Sequence, residues 1–183
     1  MGRSNKEQAD ANHQRIVAAA GRLLRSHGYD AVGIADVMKA AGMTQGGFYK
    51  HFASKEALAC EAWLAGFKGA AALWRQQDDG GGSPVATVVD YYLTPKPPDY
   101  RCPMLAHGEE AARLEENSEL RGVYDAGARS LYETFMAAAG SMDNDRAKLL
   151  FAAMIGANML SRATGDSDWA EDLKNTVKRA AEG

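Results

Sequence analysis

The segment from Ala31 to Lys55 constrains the fold of this chain most, because it encodes two short helices with a glycine between them. In its first half, apolar residues recur at i, i+3, i+4 and i+7, which is the spacing of one helix face: Ile34, Val37, Met38 and Ala41. Gly42 follows, and glycine can take the left-handed conformation that ends a helix in a tight turn. Thr44 stands at the N-cap position of a second helix, about Gln45 to His51. The pattern predicts a helix-turn-helix.

The second helix carries side chains that suit nucleic acid better than a protein core. Phe48 and Phe52 are expected to face inward, while the other side presents hydroxyl, amide, cationic and ring donors and bare glycine backbone. In a DNA-bound helix-turn-helix, such groups meet base edges in the major groove or contact phosphates. The residues that we expect at this contact are Thr44, Gln45, Gly46, Tyr49, Lys50 and His51. A structural helical hairpin with a polar outer face is the alternative.

The run from Gly33 to Leu58 closely resembles the DNA-binding signature of the TetR family of transcriptional regulators. Its Gly-Phe-Tyr-Lys-His-Phe core, followed by Ser-Lys-Glu-Ala-Leu, is far more restrictive than a helix-turn-helix pattern alone. The resemblance covers about the first third of the chain; beyond it only length, helical character and a Cys-Pro helix start are similar. One departure is Gly33, where the family commonly has a hydroxyl N-cap, a change that costs roughly a few tenths of a kcal/mol.

The resemblance implies an all-α protein with two parts. Residues 1–53 would form a three-helix DNA-binding head, and residues 54–183 a ligand-binding and dimerisation domain. The chain would be a homodimeric, one-component regulator, expected to be a repressor, that binds a near-palindromic double-stranded DNA operator. A small, largely apolar or aromatic effector in the C-terminal domain would lower its affinity for the operator.

The net charge of −3 is unevenly distributed along the chain. Residues 1–56 contain eight Lys or Arg and five Asp or Glu, whereas the remaining residues contain 13 and 19. Three of the four histidines also lie in the first 56 residues. The asymmetry indicates a basic head that contacts DNA and an acidic body that does not.

Further cations of the N-terminal third are candidates for phosphate contacts. Met1 to Glu7 is expected to form a flexible arm in which Arg3 and Lys6 reach DNA, and a frayed terminus is the alternative. Ser54 is the expected start of a longer helix, with Lys55 near its positive end. Because a cation there is unfavourable for the helix itself, we expect Lys55 to contact a phosphate group.

The other helices are bounded by glycine, proline or capping residues. They are expected from Asp10 to His27, from Ser54 to just before a flexible break at residues 78–82, from Val85 to Leu93, from Pro103 to Arg113, from Asn117 or Ser118 to Gly140, from Arg146 to Arg162, and from Ser167 on. The last two have excess apolar surface. This favours a two-fold, four-helix interface between two copies, as the resemblance also implies; burial of both helices within one monomer is the alternative.

Aromatic and methionine side chains with a few polar groups recur after the head, and such side chains usually line a site for a small apolar ligand. The residues that we expect to line it are Trp63, Phe67, Tyr92, Met104, Tyr124, Phe135, Phe151 and Asn158. A stripe of this kind is also the pattern of an ordinary core. The resemblance favours a pocket without favouring any one of these residues.

Cys102 follows Arg101 at an expected helix start, and His107 lies about one and a half turns further on. Positive charge and N-terminal amides favour the thiolate, the reactive form of cysteine. Some relatives in the family sense oxidants or electrophiles through a cysteine. Redox sensing through Cys102 is therefore an alternative to effector binding. The other interpretation of Cys102 is an inert packing residue.

The sequence indicates no enzyme. Cys102 and His107 have no third orienting residue or oxyanion motif, and the acidic residues beside His107 lack the spacing of a helical metal pair. No phosphate loop or dinucleotide fingerprint occurs. We therefore expect no catalytic residue, no metal and no cofactor.

A membrane protein is also not expected. No apolar run approaches the ~20 residues of a bilayer crossing, and the first 20 residues lack the apolar stretch of a secretory signal. Two cysteines without an export signal favour the cytoplasm, with nucleoid association when the chain is bound to DNA. A helical protein-interaction module that does not bind DNA is the remaining alternative.

Overall fold

The computed structural model describes residues 2–77, 83–165 and 167–183, and of residues 2–5 only the backbone. All regular elements in these ranges are helical, which confirms the predicted all-α class. The α-helices are α1 (Gly2–His27), α2 (Ile34–Ala40), α3 (Lys55–Arg75), α4 (Pro84–Leu93), α5 (Pro103–Arg113), α6 (Glu119–Ala139), α7 (Asn144–Ala163) and α8 (Asp168–Glu182). Two 3-10 helices span Gln45–Lys50 and Pro98–Tyr100. Among the described helices, none combines the length and the apolar character that crossing a membrane requires.

The helices form two compact units, Met1–Lys68 with Pro97–Gly127 and Gly69–Lys96 with Ala128–Gly183. This division differs from the predicted boundary after residue 53, because α5 and the first half of α6 pack with the head helices in the first unit. The separation into a DNA-binding part, residues 1–53, and a ligand-binding part, residues 54–183, stays a prediction about function. The predicted break at residues 78–82 lies outside the described residues.

The turns of the head form where the sequence predicts them. Gly28, with a φ of +85°, ends α1, and Gly42, with a φ of +72°, follows α2. The Gly33 N–H donates a hydrogen bond of 2.9 Å to the carboxylate of Asp36, so an acidic side chain in the first turn caps α2 in place of a hydroxyl. The Arg15 guanidinium donates to the Ala41 carbonyl at 2.7 Å, and this bond ties the end of α2 to α1.

One expectation for the head is wrong, and another is confirmed in position but not in detail. Helix α1 begins at Gly2, so the described residues of the predicted arm, Gly2 to Glu7, are helical. No proline interrupts them, and the Gln8 amide donates to Asn12 one turn later, at 3.1 Å. The second helix of the pair is a 3-10 helix that ends at Lys50, and the Thr44 hydroxyl at its N-cap makes no capping hydrogen bond within the described residues. Two adjacent glycines weaken an α-helix of this length, which accounts for the tighter form.

A core of apolar side chains holds the head together. Ile16 of α1, Met38 of α2, Phe48 of the 3-10 helix and Trp63 of α3 are all fully buried. Phe52 is also buried, so the predicted inward direction of both phenylalanines is confirmed. The two short helices and the two long ones thus contribute to one hydrophobic core.

In the second unit, α4, α7 and α8 pack together. The Asp143 carboxylate caps α7 by accepting the N–H of Arg146 at 3.0 Å, and the Arg146 guanidinium donates to the carbonyls of Ala180 and Gly183 at the end of α8. Lys178 of α8 forms an ion pair of 2.6 Å with Asp90 of α4. Arg146, in the first turn of α7, thus fixes the C-terminal end of α8.

Gly127 of α6 lies against the ring of Phe67 of α3, and a Cβ at this position would overlap the ring. Gly122 lies on the same helix, is exposed, and has open space where a Cβ would be. Both helices can therefore approach closely only because residue 127 has no side chain.

We expect Gly127→Ala to lower the free energy of unfolding by about 1–3 kcal/mol, because the fully buried Phe67 ring has to shift. Gly122→Ala is the matched control and should raise it by about 0.5–1 kcal/mol, the gain in helix propensity. Urea denaturation followed by circular dichroism measures both. Equal stability of the two variants would contradict the close approach.

Candidate nucleic-acid interface

The outer face of the 3-10 helix Gln45–Lys50 is open to solvent. Thr44, Gln45, Gly46 and Lys50 are exposed, and Tyr49 is 73% exposed. Phe48 is buried beneath them and its ring meets that of Tyr49 edge to face, with the centroids 5.2 Å apart. A single buried phenylalanine therefore fixes the direction in which this row of donors points.

The two glycines of this helix differ in their surroundings. A Cβ on Gly47 would contact the Met38 side chain at 3.6 Å, which is ordinary packing distance. A Cβ on Gly46 would have no described atom within 4 Å. Packing within the described chain therefore gives no reason for glycine at position 46, whereas the close approach of an external backbone would.

His51 is less available than its neighbours. It is half-buried, and its ring lies beside those of Phe52 and His13, at centroid distances of 6.4 and 6.1 Å. The His13 ring stacks on Phe52 at 4.4 Å and its Nε2 lies 2.7 Å from the Glu61 carboxylate. One edge of His51 thus belongs to a ring cluster that joins α1 to the end of the helix-turn-helix.

Of the predicted phosphate contacts, Lys50 is exposed and Lys55 is partly buried. The Lys55 ammonium lies 4.3 Å above the centre of the Tyr29 ring, a cation–π contact that holds it at the start of α3. The Ser54 hydroxyl caps the same helix by accepting the N–H of Ala57 at 3.0 Å, at the predicted helix start. Lys6 is exposed on α1, and the side chain of Arg3 lies outside the described atoms.

Sequence reasoning missed the contacts that hold the turn between α1 and α2. The Tyr29 N–H donates to the carboxylate of Glu110, which lies on α5. A Cβ on Gly28 would lie 2.7 Å from the same carboxylate, so glycine is required there for space as well as for its positive φ. Tyr29 and Glu110 are 81 positions apart, and no local sequence pattern indicates that they are in contact.

Four of the predicted ligand-binding residues lie in the first unit, where they form part of a ring cluster. Trp63 stacks on His107 with centroids 4.3 Å apart, and Tyr124 meets the edges of Trp63 and Phe67. The Tyr124 hydroxyl donates to the Met104 carbonyl at 3.0 Å. Trp63, Phe67 and Met104 are buried. Trp63 also keeps one unused group, because its indole N–H has no partner among the described residues.

The other four lie in the second unit. Phe135 is fully buried and its ring lies 5.3 Å from that of Phe151, which is partly exposed. Tyr92 is buried, and its carbonyl accepts a hydrogen bond of 2.9 Å from the Asn158 amide. In both units these side chains pack as a core does, and their role in ligand binding stays a prediction.

The two cysteines have different surroundings. Cys60 is buried in the core of the head, and burial, with smaller contributions from the Glu119 and Glu56 carboxylates, raises the pKa of its thiol to about 11. Cys102 is partly exposed at the N-cap of α5, the position that the sequence predicts. Only Cys102 therefore combines access to solvent with a helix N-terminus.

Comparison with known proteins gives matches to transcriptional regulators. Residues 16–62 match the family described as bacterial regulatory proteins, tetR family. Over 63 residues the chain is 36% identical to the HTH-type transcriptional regulator AcrR of Shigella flexneri. The aligned stretch covers 34% of this chain and 29% of that protein. A solved TetR transcriptional regulator from Chloroflexus aurantiacus is 25% identical, with a TM-score of 0.76 and coverage of 94% and 95%. A TetR-family regulator from Agrobacterium tumefaciens is 18% identical, with a TM-score of 0.79 and coverage of 96% and 100%.

The chain matches less than a third of the length of the curated relatives. The family match is confined to residues 16–62, whereas the likeness in fold to the Agrobacterium tumefaciens regulator covers 96% of the chain.

We expect iodoacetamide to modify Cys102 in the folded protein and to leave Cys60 unmodified at neutral pH, since burial and a pKa near 11 keep the Cys60 thiol protonated and covered. Peptide mass spectrometry after timed labelling measures both sites in one sample, and a denatured sample gives the rate without protection. Equal labelling of the two cysteines in the folded protein would contradict this difference.

Proposed function

We propose that this chain, which belongs to the TetR family of bacterial regulatory proteins, is a cytoplasmic DNA-binding transcriptional regulator and acts as a repressor. The observation that carries the proposal is the exposed row of donors on the 3-10 helix, held outward by the buried Phe48. Base edges and phosphates accept hydrogen bonds from such groups. The excess of cations in the same third of the chain supports the proposal.

The side chains of this face divide into two roles. Gln45 can read a base with its amide, and Thr44 and Tyr49 can donate a hydroxyl or contact a thymine methyl group. Lys50 and Lys55 suit phosphate, because an ammonium group acts as a point charge. His51, with one edge buried, suits a contact at the margin of the groove. Open space at Gly46 lets the DNA backbone approach closely.

The chain would bind DNA as a homodimer through α7 and α8. Large apolar side chains on these helices are exposed: Leu149 (71%), Met159 (56%), Leu160 and Trp169 (55%). The small residues Ala152, Ala153 and Gly156 of α7 would let a second helix approach. Two heads related by a two-fold axis fit a near-palindromic operator whose half-sites lie about 34–36 Å apart.

A small apolar or aromatic effector would regulate the repressor. Such a ligand lowers operator affinity only as far as it prefers the conformation that does not bind DNA. The ring cluster around Trp63 supports this proposal, because it joins a buried, unused indole N–H to helices that pack against the head. One polar group among aromatic surfaces suits a largely apolar ligand with a hydrogen-bond acceptor.

A second candidate is regulation by oxidants or electrophiles through Cys102. Its partial exposure at the N-cap of α5 favours this candidate, since α5 contacts the turn that leads into the helix-turn-helix. Modification of Cys102 would then lower operator affinity. Modification without any change in operator affinity would leave the effector as the regulator.

We expect the wild-type chain to bind one short near-palindrome from the DNA upstream of its own gene. Gln45→Ala should weaken this binding by about 1–3 kcal/mol with little change on random duplex, because an amide that reads a base is lost. Lys50→Ala should weaken binding to both duplexes and reduce the slope of log K against log salt by about one. Fluorescence anisotropy over a salt series measures these constants.

Lys68→Ala is the matched control, because Lys68 is equally exposed but lies on α3 more than three turns beyond Lys55. It should leave both the affinity and the slope unchanged. Equal losses on operator and random duplex for Gln45→Ala would contradict the division of roles. Absence of salt-sensitive DNA binding in the wild type would favour a protein-interaction module instead.

For the dimer, we expect Leu149→Glu to raise the dissociation constant at least about tenfold, because it places an unpaired charge in an apolar interface. Leu64→Glu, at another exposed leucine in the first unit, is the control and should leave the dimer intact. Sedimentation velocity gives both constants. A monomeric wild type, or equal weakening by both changes, would contradict an interface on α7 and α8.

A further inference from the structure

The carboxylate of Glu110 joins two parts of the first unit. One oxygen accepts the N–H of Tyr29, in the turn that precedes α2. The other lies 3.5 Å from the Nδ1 atom of His107, and neither of these two atoms has a hydrogen-bond partner among the described residues. His107 is only 1% exposed, so these two atoms face each other away from solvent.

The charges of this pair follow from its surroundings. Burial lowers the pKa of His107, an effect that the nearby Arg25 guanidinium reinforces and the Glu110 carboxylate opposes. Burial alone would raise the pKa of Glu110, but the nearby His107 ring, the hydrogen bond from the Tyr29 N–H and the charge of Arg113 outweigh burial and lower the pKa. At neutral pH an ionised carboxylate therefore lies beside a neutral imidazole, 3.5 Å from its Nδ1 atom.

On either side of the pair the contacts continue. The His107 ring stacks on Trp63, 4.3 Å between centroids, and so belongs to the ring cluster. On the other side, the Tyr29 ring lies under the Lys55 ammonium at 4.3 Å. A continuous row of contacts therefore runs from Trp63 through His107, Glu110 and Tyr29 to Lys55.

Glu110 is not the sole attachment of α5 to the head. The Arg25 side chain of α1 donates to the Asp99 carbonyl at 2.8 Å, in the 3-10 helix Pro98–Tyr100 that precedes α5. Its guanidinium also lies 3.0 Å from the position of a Cβ on Gly66, which shows how closely it passes α3. The fold thus keeps an independent connection when Glu110 is replaced.

We propose that Glu110 is a positioning residue that holds the Tyr29 turn, and with it Lys55, in the geometry that contacts a DNA phosphate group. The inference rests on the proposed function. It assigns to Glu110 the step by which a change at His107 or Trp63 reaches the head. When His107 moves, the carboxylate loses the buried ring that lies 3.5 Å from it, and the Tyr29 turn loses its fixed acceptor. The Lys55 ammonium then loses the ring that positions it.

Operator affinity of Glu110→Ala tests this, with Glu109→Ala as the matched control, because Glu109 lies on the same helix, is exposed and pairs with Arg113. We expect Glu110→Ala to weaken operator binding about tenfold, within the usual range of coupling, and to reduce the salt slope by about one. Glu110→Gln keeps an acceptor for the Tyr29 N–H and should restore most of the affinity. Glu109→Ala should bind as the wild type does.

The decisive comparison uses Lys55→Ala as a second background. If Glu110 acts through Lys55, Glu110→Ala adds little to the loss that Lys55→Ala already causes, whereas independent effects multiply. Tyr29→Leu removes the ring under Lys55 without touching Glu110 or its hydrogen bond. It should reproduce the tenfold loss and the reduced slope, and it tests the same step should Glu110→Ala fail to fold.

The outcomes separate this inference from the proposed function. Losses for Glu110→Ala and Lys55→Ala that multiply, an unchanged salt slope in Tyr29→Leu, or equal losses for Glu110→Ala and Glu109→Ala would overturn the positioning role while DNA binding stands. A wild-type chain without salt-sensitive binding to any duplex would overturn both.

Discussion

The direction of the candidate DNA-binding face depends on the burial of Phe48. Six residues with two glycines do not form a stable helix alone, since nucleation is costly and each glycine adds to the cost. Burying a phenylalanine contributes about 2 kcal/mol, and here it fixes the 3-10 helix to the core of the head. The roles proposed for Gln45, Tyr49 and Lys50 depend on the buried Phe48 side chain. Because Phe48 faces the core, these three side chains face solvent.

A second constraint acts on the turn between α1 and α2. Gly28 is required twice, by its positive φ and by the nearby Glu110 carboxylate. That carboxylate comes from α5, so the first unit includes residues far beyond the helix-turn-helix. The head is therefore attached by one hydrogen bond at Tyr29 to α5 and by another at Arg25 to the 3-10 helix that precedes α5.

Much of this arrangement could be predicted from the sequence, because its causes are local. Spacing of apolar residues places Val37 and Met38 in the core, and Gly28 and Gly42 end their helices as short-range rules require. The start of α1 was not predictable in this way, since Gly2 to Glu7 is as polar as a flexible arm and differs only in lacking a helix breaker. The 3-10 form of Gln45–Lys50 could not be predicted either, because glycine content alone does not decide between a 3-10 helix and an α-helix.

The contacts of the candidate site were less predictable, because they join distant positions. His107 and Glu110 are three residues apart, but the contacts that matter are with distant residues. Glu110 accepts the N–H of Tyr29, and the His107 ring stacks on Trp63; the sequence places neither residue beside the pair. The predicted ligand residues were chosen by chemical type, and a buried core uses the same types. Chemical type alone therefore identified aromatic clusters in both units without separating packing from binding.

Selection of bound duplexes from a random-sequence pool, followed by sequencing, tests most directly the claim that this chain reads DNA through the Phe48-anchored helix. The predicted result is one enriched near-palindrome whose half-sites are centred about 10–10.5 base pairs, or a multiple of that, apart. Because each mismatch typically costs about 1–3 kcal/mol, enrichment should be confined to a few positions in each half-site. A pool that emerges without any enriched motif would contradict the claim.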